Sequence, residues 1–371
     1  MNAYPGKLAL QQRVLPAYRV PFIELLASAC RGGLHLFAGQ PLPIENIPPA
    51  SKLRHARLTP ARNRHFLHPR HPLYLCWQPG LLHWLEKTDP DALIVEANPR
   101  YPSTRKAIAW MHARGRPVIG WGLGAPRLSG PLAGVRARAR LRLLSSLDGL
   151  IAYSRRGAEE YRALGVLPPE RVYTAPNAVT PRPAAPPPAR DPTPRHPLTV
   201  LFVGRLQPRK KVDHLLKACA ALPAALRPRL IIVGDGPARG SLQTLAQQTY
   251  PQAEFPGPKH GAELTPYFQT ADLFVLPGTG GLAVQQAMSH ALPVIVAQGD
   301  GTQDDLVRGE NGWQIPPDDL PALTRTLQNA LAHPNRLRRM GEASYRIASE
   351  INIENMAAAF LKASNEIAFR G

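Results

Sequence analysis

The chain has 371 residues, 44% of them hydrophobic and 19% charged. That length supports two domains with a core each, which excludes a small stapled scaffold, and the composition excludes a wholly disordered chain. Lys and Arg outnumber Asp and Glu by 45 to 26, a formal charge of +19.

Residues 1–185 hold 26 of the basic and 10 of the acidic residues, so nearly all the excess lies in the first half. A surface of this kind concentrates anions and suits nucleic acid, an anionic membrane or phosphorylated substrates. A GC-rich coding bias, visible in the 42 prolines, accounts for the same excess without any partner. Three cysteines, Cys30, Cys76 and Cys219, are too few and too scattered for a disulfide framework or zinc cluster and point to a reducing compartment. No signal peptide and no long apolar run stands out, so the expectation is a cytoplasmic protein whose membrane contact, if any, is peripheral at the inner face of the plasma membrane.

In chain order, short apolar runs at 7–12, 34–38, 92–97, 117–121, 149–153 and 171–174 predict strands, and amphipathic stretches at 20–30, 103–114, 134–147 and 156–164 predict helices. The stretch 41–72 lacks periodicity and is expected to be a long surface loop with its histidines, His55, His65, His68 and His71, facing solvent. Between 180 and 197 eight of eighteen residues are proline, which predicts a stiff linker. Beyond it, strands at 198–204, 229–234, 272–277 and 293–297 alternate with helices near 212–221, 238–248, 263–270 and 281–290. Such βαβα alternation predicts an α/β chain of two Rossmann-like, doubly wound domains facing across a cleft: residues 1–180, a linker over 181–197, and a second domain over 198–342.

Two stretches carry chemistry. In Gly204-Arg205-Leu206-Gln207-Pro208-Arg209-Lys210, a strand ends at Gly204 and two cations follow at its edge. An Arg fork and a Lys point charge suit a diphosphate, although a solvated charge run fits equally. In Pro277-Gly278-Thr279-Gly280-Gly281-Leu282-Ala283, a strand opens through glycines into a helix, so backbone N–H groups are free to approach a phosphate. A turn built only for tight packing has the same composition.

These stretches, with Val233-Gly234-Asp235-Gly236-Pro237, Phe255 and Gly257, Ala271-Asp272-Leu273-Phe274 and Ala287-Met288, resemble the carboxy-terminal domain of glycosyltransferase family 4. The resemblance implies a GT-B architecture, a nucleotide-sugar donor held by the second domain, an acceptor held by the first, and final helices over 343–371 returning toward the first domain. It implies that Arg205 and Lys210 neutralise the donor diphosphate, helped by N–H groups at Gly281, Leu282 and Ala283, and that Gly257, Pro258 and Lys259 meet the base. It also implies retention of the anomeric configuration and no metal or other cofactor, the nucleotide-sugar being a substrate.

The pattern departs from the family at three places. The paired glutamates of the family fall on Gly278 and Gln286, so both carboxylates are gone; Gln286 keeps an acceptor for a ribose hydroxyl, and at Gly278 the sugar is left to backbone groups of Thr279, Gly280, Gly281 and Leu282 or is held less tightly. A family histidine falls within Pro117 to Gly124, where Trp121 either stacks on a sugar or fills the core. The glycine-rich loop after the first strand is replaced by a segment bearing Arg13 and Arg19, candidates for holding an acceptor phosphate or ordinary surface arginines. Glu96 is the carboxylate best placed to position an acceptor hydroxyl, unless it pairs with Arg100 or Arg105. The three acids of Gly299 to Asp305 are read as the acidic first turn of a helix rather than a metal site.

The expectation is therefore a retaining, metal-independent hexosyltransferase using a UDP- or GDP-sugar and a lipid-linked, phosphorylated or glycan acceptor, with no nucleic acid partner. The alternative is a non-catalytic nucleotide-binding relative that accompanies an active transferase.

Overall fold

The structure is a computed structural model that describes residues 3–45, 47–50, 52–69, 71–183, 186–188, 197–280, 282–299 and 301–369. It divides into two compact units, Met1–Pro181 with Ile353–Gly371, and Arg182–Asn352. Of the linker expected over 181–197, residues 184–185 and 189–196 lie outside the described residues.

The first unit runs β1 (Leu8–Val14), α1 (Val20–Ser28), β2 (Leu34–Gly39), β3 (Arg57–Pro60), β4 (Arg64–Phe66), β5 (Leu75–Trp77), α2 (Leu81–Thr88), β6 (Ala92–Glu96), α3 (Pro102–His112), β7 (Val118–Gly122), α4 (Ala133–Leu144), β8 (Gly149–Ala152), α5 (Arg155–Ala163) and β9 (Val172–Thr174). Its main sheet has the order β3-β2-β1-β6-β7-β8-β9 and is parallel throughout. Helices on both faces explain why the inner strands read as unbroken apolar runs rather than alternating ones, β8 being buried at every position. Helix α5 starts where Ser154 Oγ accepts the Gly157 N–H at 3.0 Å.

The stretch 41–72 is not the structureless loop its composition suggests. It supplies β3, an edge strand parallel to β2, and β4, which pairs antiparallel with β5. Both are mostly exposed, so no apolar period marks them. His65 is also a correction: it is half-buried, and its Nδ1 lies 2.6 Å from the Tyr74 hydroxyl.

The second unit runs β10 (Thr199–Val203), α6 (Val212–Ala220), β11 (Arg229–Val233), α7 (Arg239–Thr249), β12 (Glu254–Gly257), α8 (Thr265–Thr270), β13 (Leu273–Leu276), α9 (Leu282–Ser289), β14 (Val294–Ala297), α10 (Thr302–Leu306), β15 (Gly312–Ile315), α11 (Leu320–Leu331) and α12 (Pro334–Glu350). Its parallel sheet has the order β12-β11-β10-β13-β14-β15. In such an order successive strands are laid down first to one side of β10 and then to the other, leaving a crevice at the carboxyl ends of β10 and β13.

A boundary at residue 343 falls inside α12, which continues to Glu350 and packs on α9. The crossing back comes later, and α13 (Ile353–Phe369) belongs to the first unit. Its Phe360 meets Phe22 at 5.0 Å and Trp121 at 4.9 Å, edge to face in both cases. Among the described residues no helix is long and apolar enough to cross a membrane.

Candidate functional site

At the switch point of the second unit, the turn after β10 meets the loop after β13. Gly204 follows β10, and Arg205, half-buried, follows it. A short 3-10 turn over Pro208–Lys210 then brings Arg209 and Lys210 against Gly278 and Thr279. The Thr279 N–H donates to the Arg209 carbonyl at 3.1 Å, Arg209 Nη1 donates to Thr279 Oγ1 at 3.3 Å, and Lys210 Nζ donates to the Thr279 carbonyl at 2.5 Å. About seventy residues of sequence separation are thus closed by three hydrogen bonds.

Close approach dictates the glycines here. A Cβ at Gly278 would overlap the Arg209 carbonyl and the Lys210 backbone, which cannot give way as a side chain can. Gly280 has φ +113°, a conformation side chains disfavour, and a Cβ there would fall on Lys210 Nζ. Glycine at 278 is therefore dictated by the local backbone arrangement. Gly234, at φ +146°, is likewise required because its Cβ would overlap the Gly204 carbonyl.

Lys210 is the distinctive titrating group of this loop pair. Burial, aided by the neighbouring Arg209 charge, brings its pKa down to about 8. Neither Lys210 nor Arg209 forms an ion pair among the described residues, whereas the adjacent Lys211 is held by Asp318 at 2.5 Å. Two cations are thus aimed at the glycine loop without a carboxylate to neutralise them. The loop leads into α9, whose N-terminal N–H groups have no partners within the helix and suit an anion.

Gly281 lies outside the described residues; Leu282 and Ala283 occupy the first turn of α9, and Gln286 is half-buried one turn on. Gly257 ends β12 at φ +82°, and its carbonyl accepts the Gly234 N–H at 3.0 Å, which sets Pro258 and Lys259 just beyond the sheet edge. Sequence reasoning overlooked Arg209, although it sits in the same basic run. It also overlooked Gln303, buried in α10, whose Nε2 donates to the Gly280 carbonyl at 3.4 Å and for which no local pattern is a signal.

The first unit has a switch point of its own, between β1 and β6, and its arginines are arranged differently. Arg13 is not free for a phosphate: its Nη1 and Nη2 reach both Glu45 oxygens at 2.9 and 2.7 Å. Arg19 is not on a lip either. It is 7% exposed, with its guanidinium 4.4 Å from the Trp121 ring centre and 5.5 Å from that of Tyr153. Trp121 is 1% exposed and fills the core beneath α13.

Glu96 takes neither Arg100 nor Arg105. Its Oε1 accepts the Arg13 backbone N–H at 2.6 Å, and the Tyr101 hydroxyl also bonds to it. Burial pushes this carboxyl above the usual carboxylate range, against the pull of those hydrogen bonds and the Arg13 charge. Glu45 and Tyr101, both absent from the sequence-level candidates, complete this network. The three cysteines are buried and unpaired, and among the described residues no group of His, Cys, Asp or Glu is placed to hold a metal ion.

Residues 189–347 match the family of glycosyl transferases group 1. A 135-residue stretch is 36% identical to the GDP-mannose-dependent alpha-mannosyltransferase of Mycobacterium tuberculosis, covering 36% of this chain and 33% of that protein. A 250-residue stretch is 28% identical to the D-inositol 3-phosphate glycosyltransferase of Thermobispora bispora, covering 62% and 58% respectively. The matched regions thus span a third to under two thirds of these relatives. The whole fold is similar to sucrose-phosphate synthase from Thermosynechococcus elongatus, with a TM-score of 0.71 at 20% identity over 98% of this chain and all of that one. The two parallel-sheet units are those of the GT-B fold.

Proposed function

We propose that the chain is a retaining glycosyltransferase that moves a hexosyl group from a UDP- or GDP-sugar to a hydroxyl of a lipid-linked, phosphorylated or glycan acceptor. The observation that carries this reading is the pair of cations, Arg209 and Lys210, without a carboxylate counterpart, bonded to the glycine loop at the start of α9. As the bond from the sugar anomeric carbon to the diphosphate breaks and the acceptor oxygen bonds to that carbon, negative charge grows on the departing phosphate. Lys210, Arg205, Arg209 and the N–H groups opening α9 stabilise it, and the acceptor proton passes to a phosphate oxygen. Fixed cations at this position do the work a divalent ion does elsewhere, so the reading needs no metal. Gly257, Pro258 and Lys259 receive the base, and Gln286 accepts from a ribose hydroxyl.

The names of the relatives support a GDP-sugar among these donors and a phosphorylated acceptor. On the first unit, Glu96 remains the residue proposed to position an acceptor hydroxyl, because a carboxyl held above its ordinary range is suited to proton exchange. Peripheral association with an anionic membrane is supported by α4 and the residue before it, where exposed Leu132, Val135 and Leu141 stand among arginines.

One observation favours a second reading, a nucleotide-binding relative without turnover. The Gly278 backbone leaves no room for a side chain where the family has a carboxylate. Calorimetry with UDP and GDP, followed by an assay for release of the nucleotide from UDP- and GDP-hexoses, separates the two. Nucleotide binding with turnover supports transfer, binding with none supports the second reading, and no binding of either nucleotide rejects both.

A further inference from the structure

A cavity of about 330 Å³ opens at the amino-terminal edge of the first unit's sheet, the opposite edge from Arg13 and Glu96. Lys7, His35, His55, Arg57 and Lys87 line it, with Gly32, Gly33, Leu34 and Thr88. Five basic side chains and no carboxylate converge there. Among the described residues the acids beside the lining make no ion pair with these side chains: Glu24 accepts the backbone N–H groups of Arg54 and His55, Asp91 accepts the Lys7 backbone N–H at 2.7 Å, and Asp89 pairs with Arg116. Among the described residues none of Lys7, Arg57 and Lys87 forms an ion pair.

The cations are placed by regular structure rather than scattered over a surface. His35 and Arg57 are in-register partners on β2 and β3, so their side chains leave the same face side by side. The His35 imidazole stands beside the Arg57 charge with no carboxylate in the cavity lining. Burial and the charges of Arg57 and Lys7 hold the His35 pKa down. Lys7 is fixed by donating its ammonium to the Thr88 carbonyl at 2.6 Å, which ties the start of β1 to the end of α2. Gly33 turns the chain beside His35 at φ +92°, a conformation that side chains disfavour.

We propose that this cavity binds a small phosphomonoester, Arg57 meeting the phosphate as a planar fork and Lys7 and Lys87 as point charges. Its volume is near the lower limit for ligand sites, roughly 300 Å³, which suits a phosphorylated polyol or sugar and not a nucleotide-sugar. It is separate from the donor loop, and its existence does not depend on the transferase reading.

The test is calorimetric titration of the full chain with glycerol 3-phosphate. The wild-type chain and the Lys210→Ala chain should bind alike, whereas Arg57→Gln combined with Lys87→Gln should weaken binding by at least about tenfold per cation removed. Both positions are exposed, and an unchanged circular dichroism spectrum confirms that the double variant is folded. Co-sedimentation with phosphatidylcholine vesicles, with and without phosphatidic acid, identifies the source. Binding only to the soluble ester means a free metabolite, and capture by phosphatidic acid that the double variant loses means a lipid headgroup. Binding to neither, or binding lost in Lys210→Ala and kept in the double variant, overturns the proposal.

Discussion

Both sheets reverse their strand order beside their first strand, at Arg13 and Glu96 in one unit and at Gly204 and Gly278 in the other, yet the cations gathered there differ in what surrounds them. In the first unit Arg13 is held bidentately by Glu45, and Arg19 is buried against Trp121 and Tyr153. In the second, Arg209 and Lys210 are bonded to neutral groups of Thr279, and Lys210 is desolvated enough for its pKa to fall to about 8. The half of the chain with the large positive excess thus has its two switch-point arginines engaged with its own groups, while the nearly balanced half presents the unpaired cations. Net charge locates a surface field; the state of each charge at a strand edge decides whether it is available to a ligand.

The sharpest way to break this contrast is Lys210→Ala. Losing one stabiliser of the developing phosphate charge should lower turnover about 100-fold. A rate within error of wild type, measured with a donor that turns over, removes Lys210 from the site and with it the contrast. Glu45→Ala is the matching test in the first unit. It strands a largely buried guanidinium, so unfolding should become easier by about 1–3 kcal/mol. The melting temperature of that unit should fall by several degrees with nucleotide affinity unchanged. An unaltered melting temperature would mean that Arg13 is not committed to Glu45 in solution.

Most of the framework was legible because parallel strands buried on both faces must be short apolar runs; those predicted at 149–153 and 293–297 are β8 and β14 within a residue or two. What escaped was of two kinds. Elements with little buried surface leave no period, which is why β3, exposed at three of its four positions, was folded into a supposed loop. Long-range partners leave no local trace either: Glu45 lies 32 residues from Arg13, and the reason for Gly278 is the backbone of Arg209, remote in sequence. Glycine at 278 was visible as a departure from a family pattern, but not as a steric requirement.

The depressed Lys210 pKa gives the second switch point a pH dependence on the alkaline side of neutrality. Below pH about 8 the ammonium is present and attracts a diphosphate; above it the group is increasingly neutral. UDP affinity should therefore fall by about tenfold per pH unit above that point, with proton uptake on binding, because a bound anion raises the pKa again. Without nucleotide the sign for stability is opposite. Between about 8 and the ordinary value of 10.5 the unfolded chain binds more protons, so the unit gains stability as pH rises through that window and loses it as pH falls. Calorimetry in buffers of different ionisation enthalpy measures the uptake, and an affinity flat from pH 7 to 9 would sink the assignment (window set by the shift above).

The smallest expected effect is also the most specific to the nucleotide. Gln286 stands half-buried on α9, one turn beyond the glycine loop, and its own carbonyl is already engaged by Ser289 and His290, which leaves the side chain as the group available to a ligand. An amide oxygen accepts a ribose hydroxyl more weakly than a carboxylate does. Gln286→Glu should therefore tighten UDP binding about fivefold, the difference between a neutral and a charge-assisted hydrogen bond. The gain should vanish with 2′,3′-dideoxy-UDP, which has no hydroxyl to donate. Gln286→Glu also adds a negative charge to the helix that follows the glycine loop, and above pH about 8 any rise it causes in the Lys210 pKa would strengthen phosphate binding on any nucleotide. The two effects part on the deoxy ligand: a gain that persists there belongs to Lys210, and a gain that disappears belongs to the ribose contact. No gain on either ligand takes Gln286 out of the site while leaving the Arg209 and Lys210 pair in place.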